Sequence, residues 1–401
     1  KIFLKIMKCR ICKKINLKRI ISFGSFPVCH KYKNKNEQDR KFRLEIGICK
    51  KCDLVQLNKL FPVKELKPKY NWINYNEPEE HLDELVNKLK SLKNIKKNSI
   101  IAGVSYKEIS TLKRFNRAGF NKTWHLNMKK DLDISDPKSN LETIQEKISK
   151  LSKKNIVKIK KKKADILIAR HILEHSYDTI NFIKSLNKMV KKNGYLVFEV
   201  PDCKDSLDSR DYASIWEEHI LYFTENTLKR LFVNMNFRIL YFKKYEYSYE
   251  NVLILIVQFD EKLEKKNITL KKTKINFNLA RLNKDKKKIK NLINKFKLND
   301  YKICLFGTGH AACTFLNILK LHDLIDLVID DDRNKQDLIL PNSNLKIIDS
   351  NQINKMSKIL IILGVNSESE KKIIFKLKNK LKKEIKFFSI YNKSKYSFSK
   401  T

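Results

Sequence analysis

Four cysteines in two CxxC pairs, Cys9-Arg-Ile-Cys12 and Cys49-Lys-Lys-Cys52, constrain this chain more than any other feature. Each pair can set two thiolates on one side of a tight turn. Two such turns supply the four tetrahedral ligands of a closed structural zinc site. Two disulfides would need an oxidising compartment, and nothing in the sequence points to one. With all four positions filled by protein, the metal folds a small module and catalyses nothing. The chemistry is therefore expected further along the chain.

The 401 residues are enough for two or three domains with their own cores. Lys+Arg 86 against Asp+Glu 44 gives a formal charge of +42. Such a balance can signal nucleic acid or another anionic partner. Here the lysines are spread along the whole chain beside abundant Asn and Ile, with Gly at only 8. That distribution reads as a compositional bias filling solvated faces, although so large a charge still attracts phosphates. No run of about 20 apolar residues exists, so no membrane span is expected. The start, KIFLKI, is too short for a signal-peptide core. Met7 is a candidate initiator, with residues 1–6 a leader. Cys29, Cys203, Cys304 and Cys313 are scattered and read as ordinary buried thiols. A cytoplasmic, reduced protein is expected, of unknown oligomeric state.

Residues 1–80 show short apolar runs, the cysteine pairs and few helix signals, as a zinc-binding module should. An amphipathic helix follows at about His81 to Leu92. From Ser99 the pattern becomes α/β. SIIAGV (99–104), KTWHLN (122–127), ADILIAR (164–170) and GYLVFEVP (194–201) read as buried strands of the kind found inside a parallel sheet. Helices are expected between them, at 178–191 and at 225–235, with Asn193-Gly194 as a turn. FRILYFKKY and NVLILIVQF suggest a closing pair of strands. The charged stretch 153–163 has no clear assignment. A helical linker over 266–300 leads to a second α/β unit, 301–395. The division is thus 1–80, 81–265, 266–300 and 301–395, with both α/β units Rossmann-like.

Polar residues at the C-terminal end of a buried strand lie where open α/β sheets bind ligands. ADILIARHILEH places Arg170 and His171 there. His171-Ile-Leu-Glu174-His175 also matches the H-x-x-E-H pattern of one zinc-peptidase class. The motif abuts a sheet strand and does not lie inside a long helix, so a cofactor-contacting loop is the preferred reading. Downstream, Ile215-Trp216-Glu217-Glu218-His219-Ile220-Leu221-Tyr222-Phe223 sets a carboxylate beside an imidazole within an aromatic wall. That combination suits proton abstraction next to a carbonyl. The same residues also suit a helix-capping loop holding a satisfied histidine.

The cysteine pairs, then RHILEH, then EHILYF, then LFGTGHAACTF, taken in order, resemble the three-domain S-adenosylmethionine-dependent C-methyltransferases that act on nucleotide-linked deoxysugars. The resemblance covers nearly the whole chain. It implies a zinc module, a central class I methyltransferase domain and a smaller C-terminal Rossmann-like domain, with the sugar nucleotide between the last two. It also implies a reaction in which a base removes the C3 proton of a 4-keto sugar and the enolate attacks the donor methyl group. Carried over by position, His219 is the expected base and Glu218 its partner. Tyr75 is a further catalytic candidate from the tyrosine-rich segment PKYNWINYNEP. Tyr70 and Trp72 of that segment, with Trp216 and Tyr222, are expected at the substrate. Trp216 stands where the family usually has Tyr.

The donor is expected at Gly103, Ser105, Tyr106, Asn127, Arg170 and His171. Two departures alter that pocket. The glycine-rich loop reads Ala102-Gly103-Val104-Ser105-Tyr106-Lys107, with one glycine. Asn127 replaces the acidic residue expected to hold the ribose hydroxyls, and lacks its charge. In the C-terminal unit, Gly307-Thr-Gly309-His310-Ala-Ala312 fits G-x-G-x-x-A after a strand, with Asp330 at the end of the next. These four, Gly307, Gly309, His310 and Asp330, are expected to serve the substrate nucleotide. Two alternatives stay open. One is methylation of RNA or another small molecule; the other is a non-catalytic methyltransferase-like binding protein.

Overall fold

Three sheets organise the chain. We describe the protein from a computed structural model, which covers residues 8–400 apart from 16, 74, 76, 152–158, 160–162, 249, 264–272, 274 and 382–383. The unassigned charged stretch at 153–163 lies almost wholly outside the described residues.

The first sheet contains β1 (Leu17–Phe26), β2 (Phe42–Cys49) and β3 (Val55–Leu57), all antiparallel. Its fourth strand, β8 (Leu221–Tyr222), arrives from far along the chain and pairs Val55 with Tyr222 and Gln56 with Leu221. The EHILYF segment is therefore not a helix cap. It enters an edge strand that completes the sheet of the zinc module.

The central sheet has the order β5-β4-β6-β7-β10-β9. Its members are β4 (Ile101–Gly103), β5 (Thr123–His125), β6 (Ala164–Arg170), β7 (Val190–Pro201), β9 (Phe237–Tyr245) and β10 (Val252–Phe259). β4, β5, β6 and β7 run parallel, and β10 lies antiparallel between β7 and β9. β6 and β7 are buried on both faces between helix layers, which explains their near-continuous Ile, Leu, Val and Phe. β7 starts at Val190, earlier than the Asn193-Gly194 turn suggests. The turn is absorbed as a register irregularity, with Asn193 at φ 62°.

Helices form where a cap meets an apolar stripe. Asn140, Asp178, Thr224 and Asn278 cap the helices at 141–149, 179–188, 225–234 and 279–297 through their side chains. The expected linker helix thus starts at Leu279.

The third sheet is wholly parallel, in the order β13-β12-β11-β14-β15. These strands are Ile347–Ile348, Leu327–Ile329, Lys302–Phe306, Lys358–Leu363 and Glu384–Ser389 respectively. One buried apolar cluster runs from β1 and β2 through Tyr212 and Ile215 into the helix His310–Leu319. The zinc module thus packs on both α/β units at once.

Candidate active site and zinc centre

Both CxxC pairs sit in matching turns. Lys13 N donates to Cys9 O, and Asp53 N donates to Cys49 O. Lys13 and Asp53 take left-handed conformations, φ 56° and 58°, that turn the chain back over its cysteines. Cys9 Sγ lies 3.6 Å from Cys52 Sγ, and Cys12 Sγ 3.5 Å from Cys49 Sγ. A disulfide would need about 2.05 Å, whereas zinc bonds of about 2.3 Å place tetrahedral sulfurs roughly 3.8 Å apart. All four sulfurs lie within 4.8 Å of one another. The donor set and its spacing fit a closed, structural zinc. The cysteines belong to the same buried cluster as Leu54, Ile220 and Leu221, so the metal braces the strand that completes the sheet.

Directly before that strand, the chain carries Trp216, Glu217, Glu218 and His219. Trp216 stacks on His310 from the C-terminal unit at 4.1 Å between ring centroids. Tyr75, from the segment after the zinc module, meets Trp216 edge-on at 4.9 Å and His310 at 5.2 Å. His219 lies 4.8 Å from Trp216 and 5.0 Å from His175. Five rings from three parts of the chain thus form one box. Burial, with the neighbouring His175 and His310, holds the His219 imidazole well below its ordinary pKa, so it is neutral. Burial beside Glu218 holds the Tyr75 hydroxyl well above its own, so it keeps its proton. Tyr75 Oη and Trp216 Nε1 are buried with no hydrogen-bond partner.

Beneath the box lies a carboxylate layer. His175 Nδ1 donates to Glu142 Oε1 at 2.5 Å, and His30 Nε2 lies 2.9 Å from Glu218 Oε1. Cys29 N donates to Glu217 Oε1 at 2.6 Å. Burial and the nearby Glu142 and Glu217 raise Glu218 well above the usual carboxylate range; burial pushes Glu217 up to about 7. Burial would lower His175, but the Glu142 carboxylate raises it on balance. Glu218 thus faces His30 and Glu142, where the residue order alone suggested His219. Glu142 and His30 were not evident in the sequence. Neither belongs to a motif, and each reaches the box only through tertiary packing.

The other expected residues fall into separate places. Tyr222 Oη accepts from Trp216 N and donates to Trp216 O, both at 3.1 Å, so it shapes the loop from behind. Tyr70 stacks on Trp72, and Trp72 packs on Tyr32, whose hydroxyl donates to Thr308 O at 2.7 Å. They fasten the first module to the C-terminal glycine turn. In that turn Asp330 accepts from Thr308 N at 2.9 Å and Thr308 Oγ1 at 2.7 Å and pairs with Lys335. Its carboxylate is committed within the protein, and the turn's contribution to the box is His310.

At the donor edge, Glu108 accepts from Ser105 N and Arg170 N, both at 2.6 Å. Arg170 pairs with Glu199 at 2.6 Å and Glu79 at 3.2 Å, and His171 Nε2 lies 2.9 Å from Glu199. Asn127 uses its side chain to cap the helix Met128–Leu132. Ser105, Arg170 and His171 are thus held inside the protein, while Tyr106 and Asn127 stay exposed at the strand ends. A cleft between the two α/β units is lined by Asp202, Asp205, Asp208, Asp211 and Glu250, with Lys393. Such a lining repels a diphosphate.

Three family models match in order: a zinc binding domain over residues 9–66, a methyltransferase domain over 116–241, and a C-methyltransferase C-terminal domain over 254–390. No curated protein matches the chain. Among solved structures, a 1,6-didemethyltoxoflavin-N1-methyltransferase from Burkholderia thailandensis, with S-adenosylhomocysteine bound, is 10% identical. It covers 45% of this chain and 78% of its own, at a TM-score of 0.30. Magnesium protoporphyrin IX methyltransferase from Synechocystis PCC 6803, with S-adenosylmethionine bound, is 12% identical over the same shares, also at 0.30. Scores this low leave the assignment to the ordered family models and the zinc ligands. The chain is an S-adenosylmethionine-dependent methyltransferase and belongs to the three-domain, zinc-containing C-methyltransferase family.

Proposed function

We propose that the enzyme methylates carbon in a keto-deoxysugar carried on a nucleotide, through an enolate formed in the aromatic box. One observation carries the reading: a neutral, half-buried His219 packs against Trp216, and two buried donors of the same box, Tyr75 Oη and Trp216 Nε1, have no hydrogen-bond partner. A buried donor left unpaired costs about 1–3 kcal/mol. A keto oxygen would accept from one or both, and would be held more tightly as it becomes an enolate oxygen. His219 then removes the adjacent C–H proton as general base. Trp216 takes over with its indole N–H the hydrogen bond that a tyrosine hydroxyl would make.

The exposed Tyr106 and Asn127, at the ends of the parallel strands, are the residues left to hold the donor. When bound, S-adenosylmethionine supplies the electrophilic methyl group. The acidic cleft between the α/β units disfavours it as the seat of the nucleotide phosphates, which leaves the sugar as the part recognised by the box.

Solvent deuterium exchange tests the reading. Wild-type protein with a 4-keto sugar nucleotide should incorporate deuterium at C3, and His219→Ala should not. Turnover in that variant should fall by about 10²–10⁴-fold, the scale of general acid–base catalysis. Unchanged exchange in the variant, or methylation at oxygen, overturns the assignment.

A further inference from the structure

Glu174 is 1% exposed, and neither of its carboxylate oxygens has a hydrogen-bond partner. Its nearest charged neighbour, His171 Nδ1, is 3.6 Å away, beyond hydrogen-bond reach. That ion pair leaves the second oxygen unanswered, and a buried carboxylate lacking hydrogen bonds is costly enough that such groups are normally fully paired or bound to a metal. Two further buried carboxylates, Glu142 and Glu218, share His175 with it.

Two imidazoles complete the arrangement. One ligand atom each from Glu174, His175 and His219 lie within 4.8 Å of one another. Zinc bonds of about 2.1 Å put tetrahedral ligands roughly 3.4 Å apart, a gap that small side-chain rotations close. His175 Nδ1 is already bound to Glu142 at 2.5 Å, leaving Nε2 as the nitrogen free to ligate. A histidine ligand whose other nitrogen donates to a carboxylate is the usual outer-shell support of a metal. His219 makes no hydrogen bond through its ring among the described residues.

The geometry points to a second divalent-metal site, formed by Glu174, His175 and His219 and oriented by Glu142. Its ligands are one carboxylate and two imidazoles, with a fourth position open, the donor set suited to Zn²⁺. It is distinct from the four-thiolate centre. It is also not a peptidase site: His171, the first residue of H-x-x-E-H, is engaged by Glu199 and takes no part. A consequence follows that rests on the proposed reaction. Metal binding and proton abstraction both need the lone pair of His219, so Zn²⁺ here inhibits by displacing the base.

The test starts from full-length protein with one zinc already bound to the four cysteines. Titration with Zn²⁺ by calorimetry, and with Co²⁺ by visible absorbance, should show one further equivalent held by nitrogen and oxygen ligands. Glu174→Gln should lose that equivalent while keeping the thiolate metal and a native circular dichroism spectrum. Glu142→Gln should weaken it by about 10–100-fold, as loss of outer-shell support does. Wild-type protein that binds no second equivalent overturns the site, as does a second equivalent that survives Glu174→Gln. Inhibition is read separately. The second equivalent should abolish deuterium exchange at C3. If it binds while no exchange occurs at any zinc level, the metal site stands and the proposed reaction falls.

Discussion

The two α/β units each turn from their first strand into a helix through a glycine, and the two turns are stabilised in opposite ways. After β4, Gly103 is followed by a capping box in which Ser105 and Glu108 satisfy each other's backbone, and the Glu108 carboxylate reaches on to Arg170 N. After β11, Gly307 holds φ at +91° and the loop is tied by a carboxylate from the next strand, Asp330. One turn is closed by its own helix and the other by its neighbour. The lesson is that a glycine turn of this kind does not by itself make a nucleotide cradle. In each unit one amide of the turn is answered from within: Ser105 N by Glu108, and Thr308 N by Asp330.

The contrast predicts a graded response to substitution. Gly307→Ala should cost most, about 3 kcal/mol. Its Cβ would sit 2.4 Å from Val365 Cγ1, at a φ that side chains rarely adopt. Chemical denaturation of the C-terminal unit reads this; a loss under about 1 kcal/mol would mean the turn relaxes freely.

Glu108→Gln should follow, at about 2 kcal/mol, because an amide NH₂ would then face backbone N–H donors. Its pH dependence gives a sharper reading. Burial raises Glu108 from 4.5 to about 7 in the folded protein. A raised folded pKa means the contribution is fully present below 4.5 and is lost as pH rises through 7. The wild-type advantage over Glu108→Gln should therefore shrink by about 3 kcal/mol between pH 4 and 8. A gap constant with pH would show that burial leaves the Glu108 pKa at its unfolded value.

Gly103→Ala should cost about 2 kcal/mol, since its Cβ would lie 2.6 Å from Glu108 Cβ. Coupled with Glu108→Gly, which removes that Cβ, in a double-mutant cycle, most of that cost should vanish. Asp330→Asn should cost about 1–2 kcal/mol, losing the Lys335 pair and part of the Thr308 contacts. Gly309→Ala should be neutral to within about 0.5 kcal/mol, because nothing lies within 4 Å of the added Cβ. Large destabilisation there would break the picture of a turn held by Asp330 alone.

The zinc ligands and the two α/β units were legible in the residues, because spacing and strand-end position carry that information; Tyr75, Trp216 and His219 were expected together only through the family resemblance, and His310 was expected at the substrate nucleotide rather than in the box. The rest was not, for identifiable reasons. Glu142 sits on an ordinary amphipathic helix whose buried face gives no hint of an imidazole opposite. His30 lies in a loop of the zinc module, and only packing brings it to Glu218. Arg170 and Asn127 read as cofactor contacts from their places at strand ends. The Arg170 guanidinium is taken up by buried carboxylates, whereas Asn127 caps a helix and still stays exposed at its strand end. Sequence position locates an edge, but not which polar groups at that edge have already found each other.

The pairing of Leu221 and Tyr222 with β3 also bears on how the protein comes into being. During synthesis the cysteine knuckles leave the ribosome first and can take up zinc early. Their sheet nevertheless waits, one edge open, until four strands of the central unit and the loop carrying Glu218 and His219 have been made. An exposed strand edge invites mispairing with other chains, and contacts so distant along the chain form slowly. The last strand to seal the metal module is thus the one that sets the proposed base in place. A molecule that has finished folding its first domain has, by the same event, set the proposed base in place, and only the later arrival of His310 closes the box around it.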